Sequence, residues 1–198
     1  MEWKVALRDG TPAHLRTIEP DDQAALAAGF DELSDESRYR RFLSPVPRLT
    51  GSTLRYLTDV DHHHHEAVIA FSEKREPMGV ARYVRADPDS DTAEVAVTVV
   101  DRWQGRGLGT ALLARLAERA REEGVNRFTA TALAANNEMI DLLRNLGVTD
   151  SRPASGGVVE MRVALPAEVD EESPLRKALR NAASGGMWVR LLRRGDAG

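Results

Sequence analysis

The chain has 198 residues, 27 Lys and Arg against 31 Asp and Glu, a formal net charge of −4 and no cysteine. That length supports one domain with a sizeable core and an appendage, and the acidic balance argues against wholesale nucleic-acid binding; without cysteine there is no disulfide framework and no thiol nucleophile. No run approaches the ~18 apolar residues of a membrane span, and Met1-Glu2-Trp3 lacks the regions of a signal peptide, so a cytoplasmic protein with no membrane partner is expected.

Trp3–Arg8 and Ala13–Ile18 alternate apolar and polar around Asp9-Gly10, which predicts two strands joined by a two-residue hairpin turn. Pro20-Asp21-Asp22 opens a helix to about Leu33, with a carboxylate available to cap it. Ser34–Phe42 reads as a second short helix, stopped by Ser44-Pro45-Val46-Pro47, and Thr50–Thr58 as a third with a hydroxyl at its start. Ala67–Phe71 and Met78–Val84 are strands joined by the charged turn Ser72–Pro77. The turn Asp87-Pro88-Asp89-Ser90-Asp91 leads into a strand over Ala93–Val100.

Thr110–Glu123 has helical period, with Leu112, Leu113, Leu116 and Ala120 on one stripe and Gly124 closing it. Phe128–Leu133 is a strand, Asn136 begins another helix, and Val158–Leu165 is a last strand after the loop Pro153–Gly157. From Pro166 the composition shifts. Glu168–Glu172 is acidic, and Pro174–Arg194 sets Leu175, Leu179, Met187, Trp188, Leu191 and Leu192 against six basic residues. The expected division is a domain over 1–166 and an amphipathic helical appendage over 167–198. Such a face needs cover, from the chain's own sheet or from a second subunit in a homodimer.

Residues 99–110 are the most informative. A β-rich run enters a turn with glycines at 105, 107 and 109, and a helix follows at once. Glycine lets backbone approach a ligand closely, and a helix N-terminus presents unpaired N–H groups with the positive end of the dipole. The turn therefore suits a pyrophosphate. Neither the dinucleotide pattern G-x-G-x-x-G nor the P-loop pattern is present. Gln104-x-x-Gly107-x-Gly109 instead resembles the acyl-CoA signature of the GNAT acetyltransferase superfamily, and Asn136–Val148 resembles the second motif of that family, an Asn-led helix ending in Leu-Gly. The two motifs stand in the family's order and separation, and the resemblance covers roughly residues 12–165.

The resemblance implies an α+β GNAT fold, a mixed, mostly antiparallel twisted sheet with helices on both faces. It also implies acetyl-CoA as co-substrate. Its diphosphate would lie on the backbone of Gln104, Gly105, Arg106, Gly107, Leu108, Gly109 and Thr110, its pantetheine arm beside the backbone of Val97 and Val99, and Asn136 would contact the arm. Glu94 stands where several members keep a catalytic glutamate and is the candidate general base; a solvated strand carboxylate is the plain alternative. Asn136 equally suits a helix N-cap. Where the family often has an acidic Tyr this chain has Arg144, which leaves the general acid unassigned.

Asp61-His62-His63-His64-His65-Glu66 invites a metal reading, but consecutive strand residues point to opposite faces, so a solvated strand entry is expected and no metal. Leu7-Arg8-Asp9-Gly10, Arg40-Arg41-Phe42, Val60-Asp61 and Ala67–Ala70 resemble the catalytic domain of bacterial Pat-type protein lysine acetyltransferases more loosely. The expected function is acetyl transfer to a primary amine, a protein lysine. The rival readings are a small-molecule amine acetyltransferase and a non-catalytic acyl-CoA-binding sensor.

Overall fold

The structure, a computed structural model, describes residues 2–165; the predicted appendage over 167–198 lies outside the described residues. An eight-stranded sheet runs β1-β2-β3-β4-β5-β6-β8-β7. Its strands are β1 (Glu2–Ala6), β2 (Pro12–Thr17), β3 (His65–Phe71), β4 (Pro77–Val84), β5 (Thr92–Val99), β6 (Arg127–Leu133), β7 (Val148–Pro153) and β8 (Val158–Ala164). Every pairing is antiparallel except β5 with β6.

One face carries α1 (Gln23–Asp31), α2 (Asp35–Phe42) and α3 (Gly51–Thr58), and the other α4 (Leu108–Glu122) and α5 (Asn137–Leu146). The apolar stripe foreseen in α4 is buried: Leu112, Leu113, Leu116 and Ala120 are enclosed where the helix packs on β3, β4 and β5. Each such leucine contributes about 2 kcal/mol of burial. Gly124, at φ +78°, ends the helix as expected. Short polar residues start three of the others, Ser34 accepting from Ser37 N at 3.2 Å, Thr50 from Thr53 N at 3.1 Å and Asn136 from Met139 N at 3.1 Å. Among the described residues no helix is long and apolar enough to cross a membrane.

Three local expectations are corrected. The first hairpin turn is longer than two residues: Leu7 N bonds Thr11 O at 2.8 Å and Gly10, at φ +83°, bonds back to Leu7 O. The helix foreseen from Pro20 opens as a separate 3-10 turn, Pro20–Asp22, ahead of α1; the Asp22 carboxylate closes a capping box there, accepting from Glu19 N at 2.8 Å, while the Arg16 guanidinium holds both its oxygens at 2.6 and 2.7 Å. Finally, the chain after Gly147 forms an eighth strand, β7, on the sheet edge. Its Val-Thr-Asp-Ser-Arg-Pro sequence is almost wholly exposed and has no apolar alternation, so no burial pattern announced it.

Candidate active site

β5 and β6 form a parallel ladder only from Thr92 to Glu94, against Arg127 to Thr129. Beyond Glu94 they separate, since β5 follows β4 while β6 follows β8. Val100 N bonds Met78 O, which fixes the alternation: even-numbered residues of β5 bond to β4. The backbone N–H groups of Val97 and Val99 therefore face the gap. A cleft of about 570 Å³ fills it, floored by Glu94 to Val99 and walled by α2, α5 and the glycine turn.

The turn adopts the conformation its glycines permit. Gly105 and Gly107 lie at φ +72° and +88°, a region that penalises any Cβ. The first intrahelical bond of α4 is Ala111 N to Gly107 O, so the N–H groups of Leu108, Gly109 and Thr110 are left unpaired by the helix at the cleft. Gly109 serves packing instead, since a Cβ there would meet Leu142 Cδ2 at 3.1 Å. Gln104 lines the cleft and braces the turn, its amide nitrogen donating to Val99 O at 3.0 Å and Ser37 Oγ at 3.2 Å. Arg106, by contrast, does not line the cleft. Its guanidinium bonds Asp9 Oδ2 at 2.8 Å and lies over the Trp103 ring.

Glu94 is exposed in the cleft, on the last paired rung of β5 and β6. Its side chain shares a face of β5 with Ala96 and Thr98, the face that carries α1–α3. Burial pushes the nearby Arg41 guanidinium down and the charge of Glu94 partly restores it. Across the opening, Arg40 Nη1 of α2 reaches Glu138 Oε2 of α5 at 3.8 Å. Asn136 also lines the cleft while capping α5, so the two readings of that residue are compatible in space. Among the described residues no tyrosine lines the cleft, and Arg144 is exposed beside Asp141 at 3.6 Å.

Arg41, Phe42, Ala96 and Thr98 are shared with a smaller apolar cavity of about 50 Å³ between the sheet and α1–α3. Arg82 lies on it, fully buried, donating to Leu57 O at 3.2 Å and to His65 Nε2 at 3.0 Å. Burial, then the charge of Arg41, pushes Arg82 down to about 9. The sequence had singled out Arg8, Arg40, Arg41 and Phe42 only for their Pat-type resemblance. Ser37 and Thr131 carry no signal in the sequence, because wall residues supplied by distant elements leave no local pattern, and Trp103 is given no role there although it adjoins Gln104.

The histidine run enters β3 with Asp61 and His63 exposed, as expected, while His65 and Glu66 are buried in a structural junction, and among the described residues none of the run lines the cleft. Asp61 Oδ1 accepts from the N–H of His63, His64 and His65 at 2.8–2.9 Å. Burial raises the Asp61 carboxyl, but those donors hold it below its ordinary value. His62 pairs with the fully buried Glu66 at 2.8 Å, which also takes Arg119 Nε at 3.1 Å, and His63 pairs with Glu123. Burial, then Arg82, drives His65 down to about 4, which keeps it neutral and able to accept from Arg82. Among the described residues no group of three or more His, Cys, Asp or Glu could hold a metal ion.

Residues 28–148 match the profile of the acetyltransferase (GNAT) family. The acetyltransferase Pat of Mycolicibacterium smegmatis is 37% identical over 163 residues, covering 82% of this chain; the chain spans only 48% of the length of that relative. The acetyltransferase PA5475 of Pseudomonas aeruginosa is 32% identical over 168 residues, covering 82% of this chain and 89% of that protein. Among solved structures, the GNAT domain of S. lividans PAT superposes with a TM-score of 0.77 at 37% identity, over 83% of this chain and 97% of that one.

Proposed function

The chain belongs to the acetyltransferase (GNAT) family, and from that premise we propose that it moves the acetyl group of acetyl-CoA to a primary amine, that of a protein lysine, with Glu94 as general base. The observation that carries the reading is the separation of β5 from β6 directly after Glu94. It exposes unpaired backbone of β5, a helix N-terminus and a carboxylate to one cleft.

The N–H groups of Leu108, Gly109 and Thr110 bind the diphosphate of the donor. The backbone of Val97 and Val99 pairs with the pantetheine arm and orients the thioester, and a β5 N–H polarises its carbonyl oxygen. An ammonium acceptor enters from the α2 and α5 side. Glu94 takes one proton, directly or through water, and the freed lone pair attacks the carbonyl carbon. The C–S bond then breaks, and the thiolate leaves with a pKa near that of cysteine, a tolerable leaving group without a dedicated acid. The second proton of the amine goes to the thiolate or to solvent.

The lysine acceptor rests on the Pat-type segments, of which Arg8, Arg40, Arg41 and Phe42 stand on the cleft wall. The guanidinium of Arg41 on the cleft wall favours a second reading, a small-molecule amine that carries an anionic group, such as an amino acid. The test is release of CoA thiol from acetyl-CoA with lysine peptides, free amino acids and polyamines in parallel. Peptide-dependent release supports the lysine reading, and release with small amines alone supports the second. Tight CoA binding without amine-dependent release would leave an acyl-CoA sensor.

A further inference from the structure

The glycine turn carries two arginines within reach, and their roles divide in a way the sequence does not announce. Arg106, inside the motif, is turned to Asp9 and Trp103 and holds the β1–β2 hairpin. Arg8, in that hairpin, lines the cleft. Its N–H bonds Arg106 O at 2.9 Å. Its side chain lies flat over Gly107: a Cβ on that glycine would meet Arg8 Cγ at 3.2 Å, Nε at 3.3 Å and Cδ at 3.5 Å.

This arrangement sets a guanidinium on the positive end of a 15-residue helix. No acidic or carbonyl group among the described residues bonds that guanidinium, whereas Asp9, the adjacent carboxylate, is engaged by Arg106 and by Thr11 N. Thr11 first, then Arg106, holds the Asp9 carboxyl below its ordinary value, so it stays ionised and keeps its partner. Two positive groups in contact repel unless an anion lies between them. The Arg8–Arg106 backbone bond and the Asp9–Arg106 ion pair tie the hairpin to the turn and keep Arg8 beside it.

We propose that Arg8 is a further donor-binding residue, whose guanidinium, hung over the N-terminus of α4 by the hairpin, contacts a phosphate of bound CoA. The inference rests on the assignment of the glycine turn to the donor diphosphate. Arg8 adds a charged, forked donor to a cradle otherwise made of backbone N–H groups, and Asp9 and Arg106 are its positioning residues. The thioester and the acceptor amine lie at the Glu94 end, so Arg8 governs retention of the donor and not the chemical step.

Calorimetry on the full chain with CoA and with dephospho-CoA tests this without knowledge of the acceptor. Arg8→Ala is expected to weaken CoA about tenfold or more, with melting unchanged, and Arg8→Lys to recover part of the loss. Equal weakening toward both ligands places Arg8 on the diphosphate; weakening toward CoA alone places it on the 3′-phosphate. Asp9→Ala should weaken CoA in the parent and add little in the Arg8→Ala background, which a purely structural Asp9 would not do. A folded Arg8→Ala variant that binds CoA as the parent does would overturn the role of Arg8 alone. A parent that binds neither CoA nor dephospho-CoA would overturn the cradle assignment and Arg8 with it.

Discussion

Gly147 runs so close to Ala164 that a Cβ on it would overlap the Ala164 carbonyl oxygen. The contact is backbone against side chain, at the point where α5 gives way to edge strand β7 on β8. Flexible side chains can step aside from an added methyl, but a paired carbonyl cannot. Gly147→Ala is therefore expected to destabilise the fold by more than about 2 kcal/mol or to detach β7. Urea denaturation checks the first outcome and hydrogen exchange of β7 amides the second; a variant with parental stability and protection would show that this turn has slack.

Gly107→Glu is expected to remove CoA binding from a folded protein. The position combines φ +88° with exposure to the cleft, so any side chain is strained by about 1–2 kcal/mol and a carboxylate repels the diphosphate. Calorimetry with CoA reads the result directly. Unchanged affinity in a folded variant would move the diphosphate elsewhere.

His65 gives stability a pH dependence of defined sign. Its ordinary value is 6.5 and its value in the fold is about 4, so between these the unfolded chain binds a proton that the folded chain refuses. The stability is fully present above about pH 7 and is lost as pH falls toward 4, by on the order of 1–3 kcal/mol. His65→Gln should flatten the difference between urea midpoints at pH 7 and pH 5, whatever its own effect at pH 7. An equal pH slope in the two proteins would mean that His65 titrates normally in the fold.

What was legible in the chain follows from where each signal is stored. Leu112, Leu116 and Ala120 declare α4 because one face of one helix is buried on a sheet, and the glycines at 105 and 107 declare the turn because local backbone geometry demands them. Glu94 could be chosen as a candidate by its spacing from Gln104, yet its place on the last rung before β5 and β6 part is a property of sheet order. Arg8 lies about a hundred residues from the loop it covers, and only the β1–β2 hairpin brings it there. The histidine run was legible only at its exposed start: Asp61 and His63 meet solvent as their composition suggests, while the burial of His65 and Glu66 depends on partners from distant elements, Arg82 and Arg119.

The most direct measurement of the central claim is the pH profile of Glu94→Gln, with acetyl-CoA and whichever amine the acceptor screen returns. The variant should bind CoA as the parent does and lose about 10²-fold or more in turnover near pH 7, the scale of a removed general base. That loss should shrink toward high pH, where free amine is abundant. Full turnover at pH 7 in the variant would contradict the account and leave Glu94 a solvated carboxylate at the mouth of the cleft.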